Sequence, residues 1–495
     1  MENNIIVLGG GTAGWLTAMT LRKLWPDTVV TVIEDPSKPP IIAGESGGMA
    51  IANIFNLLDI DIVEWENAVN ATPKLGGIFY NWNGEGSVFH HALVHNYTDS
   101  WSKNFDSLEE QMFYLRTLIK NNVDLCDAFT AGDFIKNNKV PFDNNLKPLH
   151  PSMHHFDSRA TAAYLKKIGL SRGITLVEAS FTHCDKDENG NLTTMHFNNH
   201  PSLSADWFFD CSGFARLLLE KECNISNTDY SEIFPARAVV AWWDDSDLYS
   251  STIATAMDAG WSWKIGLMHR SGQGYLYDPD ILTEDQALAE VHKKFGNHIE
   301  PVAKLKFTPS ILDEFWYKNV IGIGLSTGFL EPLEANGTGV IVDSLLALQA
   351  YFNPHSRNFN NRSQFNNAVH RSYQTIKDFL SLHYRGKGLN TEFWKEQQSN
   401  PNRIPDSLRS RLHDFEYFYR TNNIEYIQYM YQYGIESWLT VIQALDIIDP
   451  SIIDIKDDVD SLVLKHFEKE KQIQRKIQNK SIRIEEWKEL IKNKS

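Results

Sequence analysis

The run Ile5-Ile6-Val7-Leu8-Gly9-Gly10-Gly11-Thr12-Ala13-Gly14 limits what this chain can fold into more than any other segment. A short apolar stretch of largely β-branched residues reads as a strand buried in a parallel sheet. The glycines follow it directly and open the helical stretch Trp15 to Leu24, which ends near Pro26; Val29 to Ile33 is a second strand, closed by Glu34. The result is a βαβ unit carrying GxGxxG in its proper place. Gly9 permits the tight turn, Gly11 lets the backbone approach a pyrophosphate, and Gly14 allows close helix–strand contact. The helix N-terminus at Thr12 and Ala13 turns N–H groups toward the anion. Glu34 is placed to accept hydrogen bonds from an adenosine ribose.

The motif alone leaves FAD and NAD open. Two more glycine-bearing turns follow apolar strands: Asp210-Cys211-Ser212-Gly213-Phe214, and Gly322-Ile323-Gly324-Leu325-Ser326-Thr327-Gly328. Such turns suit a long cofactor laid across the sheet and favour FAD, with Gly324 and Leu325 at its side. Taken singly, each is also an ordinary connection between strand and helix.

With 495 residues the chain amounts to about three domain equivalents, or one large enzyme with an added lobe. Its 63 acidic and 47 basic side chains give a net charge of −16, which argues against nucleic acid and anionic membranes as general partners. The four cysteines form no CxxC pair, so neither a zinc ribbon nor a dithiol centre is expected and no metal is assigned. No apolar stretch approaches the roughly 18 residues of a membrane span, and the N-terminus lacks a basic, cleavable leader. A cytoplasmic location is the expectation.

The pattern along the chain predicts an α/β protein. A nucleotide-binding core occupies residues 1–350, with inserted elements at about 75–145 and an antiparallel sheet at about 235–320. A mainly α-helical region fills 351–495. Within it, Phe415 to Tyr433 and the charged Asp457 to Lys492 read as helices, the latter solvated or facing a partner, and Asn358 to Asn367 reads as surface loop.

Four further pieces carry a resemblance. They are Gly44-Glu45-Ser46 after the second strand, Thr72-Pro73-Lys74-Leu75-Gly76-Gly77-Ile78-Phe79-Tyr80-Asn81-Trp82, Gly260-Trp261-Ser262-Trp263-Lys264-Ile265, and Phe329-Leu330-Glu331-Pro332-Leu333-Glu334. Together and in this order they resemble the flavin-dependent halogenases of the tryptophan halogenase family, over most of residues 1–350. The resemblance implies a Rossmann-like FAD domain of the aromatic-hydroxylase kind. It also implies FADH2 delivered by a separate NAD(P)H-flavin reductase, with O2 and halide as co-substrates. The hypohalous acid formed at the flavin would pass through an internal tunnel to Lys74, which would present it to an electron-rich aromatic substrate. A carboxylate, Glu334 by position with Glu331 as competitor, would polarise the oxidant and take the ring proton. Gly44, Glu45 and Ser46 would join the cofactor site. Trp261, Trp263 and Ile265 would wall the tunnel and keep the arene from the flavin. Halide would rest on backbone N–H groups near Asn336 and Gly337, with the extra Thr338-Gly339 leaving that register open by two residues.

Without the resemblance, Lys74 reads first as an exposed lysine at a strand edge, and Trp261 and Trp263 as core packing. There are also departures from the family pattern. Gly266 stands where proline closes the WxWxIP signature, and PLEANG where many members have PLEST. Trp438 resembles a family tryptophan, but Ala444 to Pro450 replaces the glycine-rich turn of tryptophan-specific members. The expected substrate is therefore an indole, phenol or heteroaryl, with free tryptophan not assured, and chloride, bromide and iodide all open. Homo-oligomerisation is open too. Two alternatives stand beside this reading: an FAD aromatic hydroxylase, although no GDAAH-type turn occupies 324–328, and a flavin-binding protein without turnover.

Overall fold

Apolar runs become strands and amphipathic ones become helices in each of two units. The computed structural model describes residues 3–38, 46–47, 50–93, 105–245, 247–356, 361–428 and 433–493, with backbone alone at Ser46, Gly47 and Ala50. The first unit comprises Met1–Ala71, Phe156–Ser231 and Thr308–Gln374; the second comprises Thr72–His155, Glu232–Phe307 and Thr375–Ser495.

The first unit is built on a six-stranded sheet in the order Trp316–Tyr317, Val320–Gly322, Trp207–Asp210, Asn4–Leu8, Val29–Glu34, Thr175–Glu178. All neighbours are parallel except the outermost pair, Trp316–Tyr317 with Val320–Gly322. The central strands are buried along nearly their whole length, which is why they read as unbroken apolar runs. Helices Thr12–Leu24 and Ser158–Ser171 pack together, with Trp15 fully buried against Gly169. A small antiparallel sheet (Phe181–Lys186, Leu192–Phe197, Leu203–Ser204) lies alongside in sequence.

In the second unit a seven-stranded sheet runs Pro301–Lys306, Ala238–Asp244, Ser271–Tyr277, Gly260–Gly266, Ser251–Met257, Gly76–Tyr80, Val88–Ala92. The expected antiparallel sheet is there, but it also takes in two strands from the 75–145 segment, and Ser251–Met257 runs parallel to Gly76–Tyr80. A parallel neighbour needs a long crossover, which the intervening chain supplies. Ser310–Leu312 belongs instead to the first unit, paired with Asn227–Asp229 and Gly328–Phe329. Trp242, Tyr275, Tyr277 and Val291 form the core under helix Glu284–Phe295, whose first turn carries a Thr283/Gln286 capping box.

The C-terminal helices differ from their expected bounds. The helix read from Phe415 onward spans Asp406–Thr421 and stops where Asn422 turns left-handed (φ 63°), its N–H bonded to the Phe418 carbonyl at 2.8 Å. Of the loop read at 358–367, residues 358–360 lie outside the described part, and a helix begins at Arg362. The charged C-terminal segment is two helices, Asp457–Gln478 and Ile484–Lys492. They part because Ile482 spends its backbone on Phe142 and Val140 rather than on a helical ladder. Nor is this segment merely a solvated face. Lys471 is nearly buried, with its ammonium 2.5 Å from Asp133, and Ile482, Ile484 and Trp487 pack on Val140 and Leu248. Trp487→Ala is expected to cost about 3 kcal/mol in urea unfolding, as a core truncation; a change below about 0.5 kcal/mol, the range of an exposed site, would return the helix to the surface.

Candidate active site

The fingerprint is held by backbone contacts that leave no room for side chains. Gly9 adopts φ 126°, and a Cβ there would sit 2.2 Å from the Cys211 carbonyl oxygen. At Gly14 a Cβ would fall 1.8 Å from the oxygen of Gly9, whereas at Gly11 it would meet nothing within 4 Å. The open side of the turn is therefore at Gly11. This residue is also the N-cap of helix Thr12–Leu24, with no side chain capping it and no acid in the first turn. Uncapped N–H groups beside open space fit a pyrophosphate. Glu34 closes its strand beside Gly10, and its Oε2 accepts from Lys166 at 2.8 Å. Lys166 carried no signal in the sequence, because its partner lies far away along the chain.

Gly324 lies in a tight turn with φ 78°, and a Cβ there would come within 3.0 Å of the Ala13 side chain and 3.2 Å of Ile341. The fold thus brings Ala13 and Gly324 together, with Leu325 half-buried beside them. The other glycine-bearing turn has a structural task. Fully buried Asp210 accepts from the N–H groups of Leu218 and Leu219 and from the N–H and hydroxyl of Ser212. Gly44 and Glu45 lie outside the described residues; Ser46 begins a two-residue strand.

Glu334 is half-buried and left-handed (φ 60°, ψ 20°), and Ala335 after it is left-handed too (φ 54°). Two successive non-glycine residues in this region carry strain on the order of 1–2 kcal/mol each. Glu331, by contrast, is fully buried. The turn is held by the Asn336 amide, which donates to the Glu331 and Leu333 carbonyls at 2.8 and 2.9 Å. The Asn336 side chain is thereby committed. What remains for an anion is the backbone at the start of helix Asn336–Tyr351, which no side chain caps, with open space at Gly337.

Lys74 lies in the second unit, on the three-residue strand Thr72–Lys74, with 2% of its surface exposed. The strand pairs antiparallel with Met153–His155, placing Thr72 opposite His155 and Lys74 opposite Met153. All four side chains consequently share one face of the ribbon. The Thr72 hydroxyl donates to the Gly266 carbonyl at 2.6 Å, and the Leu75 N–H donates to the Ser250 carbonyl at 2.7 Å, so the lysine is anchored on both sides. His155, completely buried, has Nε2 2.9 Å from the Thr252 hydroxyl. Burial, then the Lys74 charge, then His154 hold its imidazole well below the usual histidine range. His155 was missed in the sequence, where nothing in Met153-His154-His155 signals the lysine.

Trp261 and Trp263 do share a face of strand Gly260–Gly266, with rings 6.0 Å apart. Both are buried, as is Ile265. Trp263 lies across Gly274, where a Cβ would be 2.2 Å from its ring, and Trp261 packs 6.0 Å from Trp82. Trp438 is buried between Phe379 and Phe415.

A parallel sheet with an uncapped glycine turn at the head of its first helix defines a dinucleotide-binding α/β protein with a second, sheet-and-helix unit. The comparisons narrow this class. The profile of the tryptophan halogenase family matches residues 4–460. The 7-chloro-L-tryptophan 6-halogenase KtzR of a Kutzneria species is 29% identical over 440 residues, 82% of this chain and 84% of that one. Among solved structures, the flavin-dependent halogenase Xcc4156 of Xanthomonas campestris superposes with a TM-score of 0.86 at 25% identity, covering 100% of this chain and 98% of that chain. Tryptophan 6-halogenase SttH of Streptomyces toxytricini gives 0.85 at 24%, covering 98% and 99%. The chain belongs to the tryptophan halogenase family and is a flavin-dependent halogenase; the hydroxylase alternative is not favoured. Among the described residues no helix is long and apolar enough to cross a membrane.

Gly11→Ala should leave stability within about 1 kcal/mol while weakening flavin binding at least tenfold. Gly14→Ala should lower unfolding stability by about 3 kcal/mol through overpacking. Thermal melts and flavin fluorescence titrations separate the two, and equal effects on both quantities would contradict the open side at Gly11.

A second expectation concerns pH. Burial lowers His150 to about 4 and pushes His155 down as well, so below about 6.5 the unfolded chain binds protons that the folded one refuses. Stability is therefore full above that pH. It falls by about 1.4 kcal/mol per pH unit for each such histidine, down to about 4 for His150. Urea midpoints measured between pH 7 and 4 in wild type and His150→Gln should converge on acidification; parallel curves would refute the assignment.

Proposed function

We propose that this chain is the halogenating half of a two-component system. It takes reduced FAD from a separate NAD(P)H-dependent reductase and attaches halogen to an electron-rich aromatic of the indole or phenol class. The observation that carries the reading is the burial of Lys74. A lysine that merely covered an edge strand would put its ammonium in water, and this one is withdrawn from it.

Bound reduced FAD supplies, with oxygen, the oxidising equivalent that turns halide into hypohalous acid. Gly9, Gly11, Gly14 and the N–H groups of Thr12 and Ala13 would hold the pyrophosphate, and the free oxygen of Glu34 the ribose. The Ser46 and Gly324–Leu325 segments would bound the ring side of the cofactor. Halide would rest on the backbone N–H groups at Asn336 and Gly337. The Lys74 ammonium would donate a hydrogen bond to hypohalous acid and so polarise its halogen toward the arene. Glu334, held in a strained turn, would accept the proton lost from the ring. Trp261, Trp263 and Ile265 supply bulk that excludes an arene. KtzR and SttH, named above, act on 7-chlorotryptophan and tryptophan, which supports an indole nucleus, while the altered 444–450 segment supports a substrate other than the free amino acid.

The test is a mass-spectrometric screen with reduced FAD, oxygen, an indole and phenol panel, and chloride, bromide and iodide in parallel. Halogenated product dependent on halide is expected. Lys74→Ala should lower its rate on the order of 10²–10³, the cost of removing one well-placed donor. Lys74→Arg should not restore it, because a planar guanidinium differs from a compact ammonium. Oxygenated product formed without halide would overturn the reading, and unchanged turnover by Lys74→Ala would remove the lysine from it.

A further inference from the structure

A group outside all of this chemistry lies on the small antiparallel sheet of the first unit. His183 on strand Phe181–Lys186 stands directly opposite His196 on strand Leu192–Phe197. Asp185 is two residues along from His183. Alternation puts these three on one face, and Cys184 and Met195, both buried, on the other. One donor atom from each of His183, Asp185 and His196 lies within 4.8 Å of the other two. The imidazole rings are nearly parallel, 4.4 Å apart, and His196 Nε2 is 2.8 Å from Asp185 Oδ2.

The surroundings go further than an ion pair requires. The Ser202 hydroxyl lies 2.7 Å from His196 Nδ1, and the Thr182 hydroxyl 3.1 Å from His183 Nδ1. Each ring therefore has its Nδ1 edge engaged by a hydroxyl and presents Nε2. That is the arrangement by which outer hydrogen bonds orient metal-ligating imidazoles. An exposed His–Asp pair alone is worth little, about 0–1 kcal/mol, and gives no reason to orient a second histidine beside it.

We propose that His183, Asp185 and His196 form a binding site for a borderline divalent transition-metal ion of the Zn²⁺ class. Two imidazole nitrogens and one carboxylate oxygen make a three-ligand set, and water completes a tetrahedron. Bonds of about 2.1 Å place tetrahedral donors about 3.4 Å apart. Donors up to 4.8 Å apart need to close by at most about 1.4 Å and the 2.8 Å His196–Asp185 pair to open by about 0.6 Å, with the rings tilting from parallel, and all three side chains are solvent-accessible enough to do so. The bound ion would tie the two strands together and has no part in the flavin chemistry.

Calorimetric titration of tag-free protein with Zn²⁺ tests this. One ion per chain is expected, with at least tenfold weaker binding in His183→Ala and in His196→Ala, a smaller loss in Asp185→Asn, and no change in His200→Ala. Zn²⁺ should raise the melting temperature of wild type and not of His183→Ala/His196→Ala. Substituted with Cu²⁺, the protein should show hyperfine coupling to two imidazole nitrogens. Absence of binding, equal binding by the double variant, or coupling to a single nitrogen would overturn the site. Because the variants lie outside the proposed catalytic groups, their turnover should match wild type, which also reports that they fold.

Discussion

A primary ammonium withdrawn from water constrains everything around it. Burial takes away the solvent that stabilises a lysine charge, and a second cation beside it would be costlier still. His155, on the same face of the ribbon, is accordingly kept neutral: burial disfavours its charged form first, and the lysine adds to this. The Thr72 and Leu75 hydrogen bonds fix the backbone on either side, so the side chain gains its position from a sheet edge rather than from a loop. In the role proposed for it, a donor whose backbone is fixed in this way needs little reorganisation, the property on which electrostatic catalysis depends.

The carboxylate proposed for proton removal is held by a different device. Glu334 and Ala335 both occupy left-handed backbone, which only a firmly clamped turn can sustain. The clamp is the Asn336 amide bridging two carbonyls of the same turn. This side chain is committed to holding the shape, which leaves the uncapped helix start as the part proposed to face an anion. Strain in one residue and hydrogen bonds in its neighbour thus form one local unit.

The parallel sheet and its fingerprint were legible because burial on both faces produces unbroken apolar runs and because steric demands at Gly9 and Gly14 admit no other residue. The paired tryptophans were legible from strand alternation, and the family-bearing segments from their order. What escaped were contacts joining distant stretches of chain: Lys166 with Glu34, His155 beside Lys74, and the two strands of the 75–92 segment entering the later sheet. Periodicity reports which face of an element is buried, not against what. The same limit explains the C-terminal helices, whose charged residues suggested solvent although Lys471 pairs with Asp133 and Trp487 fills a core. Helical pattern also ran past Thr421, since a single left-handed asparagine ends a helix without altering the apolar spacing.

The departure at Gly266 has a physical account in the same terms. Its carbonyl takes the Thr72 hydroxyl, two residues from Lys74, while Leu248 crowds its Cα so closely that a Cβ would come within 2.7 Å of a leucine methyl. Leu248 in turn belongs to the cluster that receives Ile482, Ile484 and Trp487. A ring at position 266 would displace that leucine, and with it the packing of the C-terminal helix. Glycine at 266 thus leaves room for Leu248 in the cluster that anchors the C-terminal helix. The strand carrying Lys74 is fastened through Thr72 to this crowded glycine, so substitution at 266 would reach the lysine through the backbone.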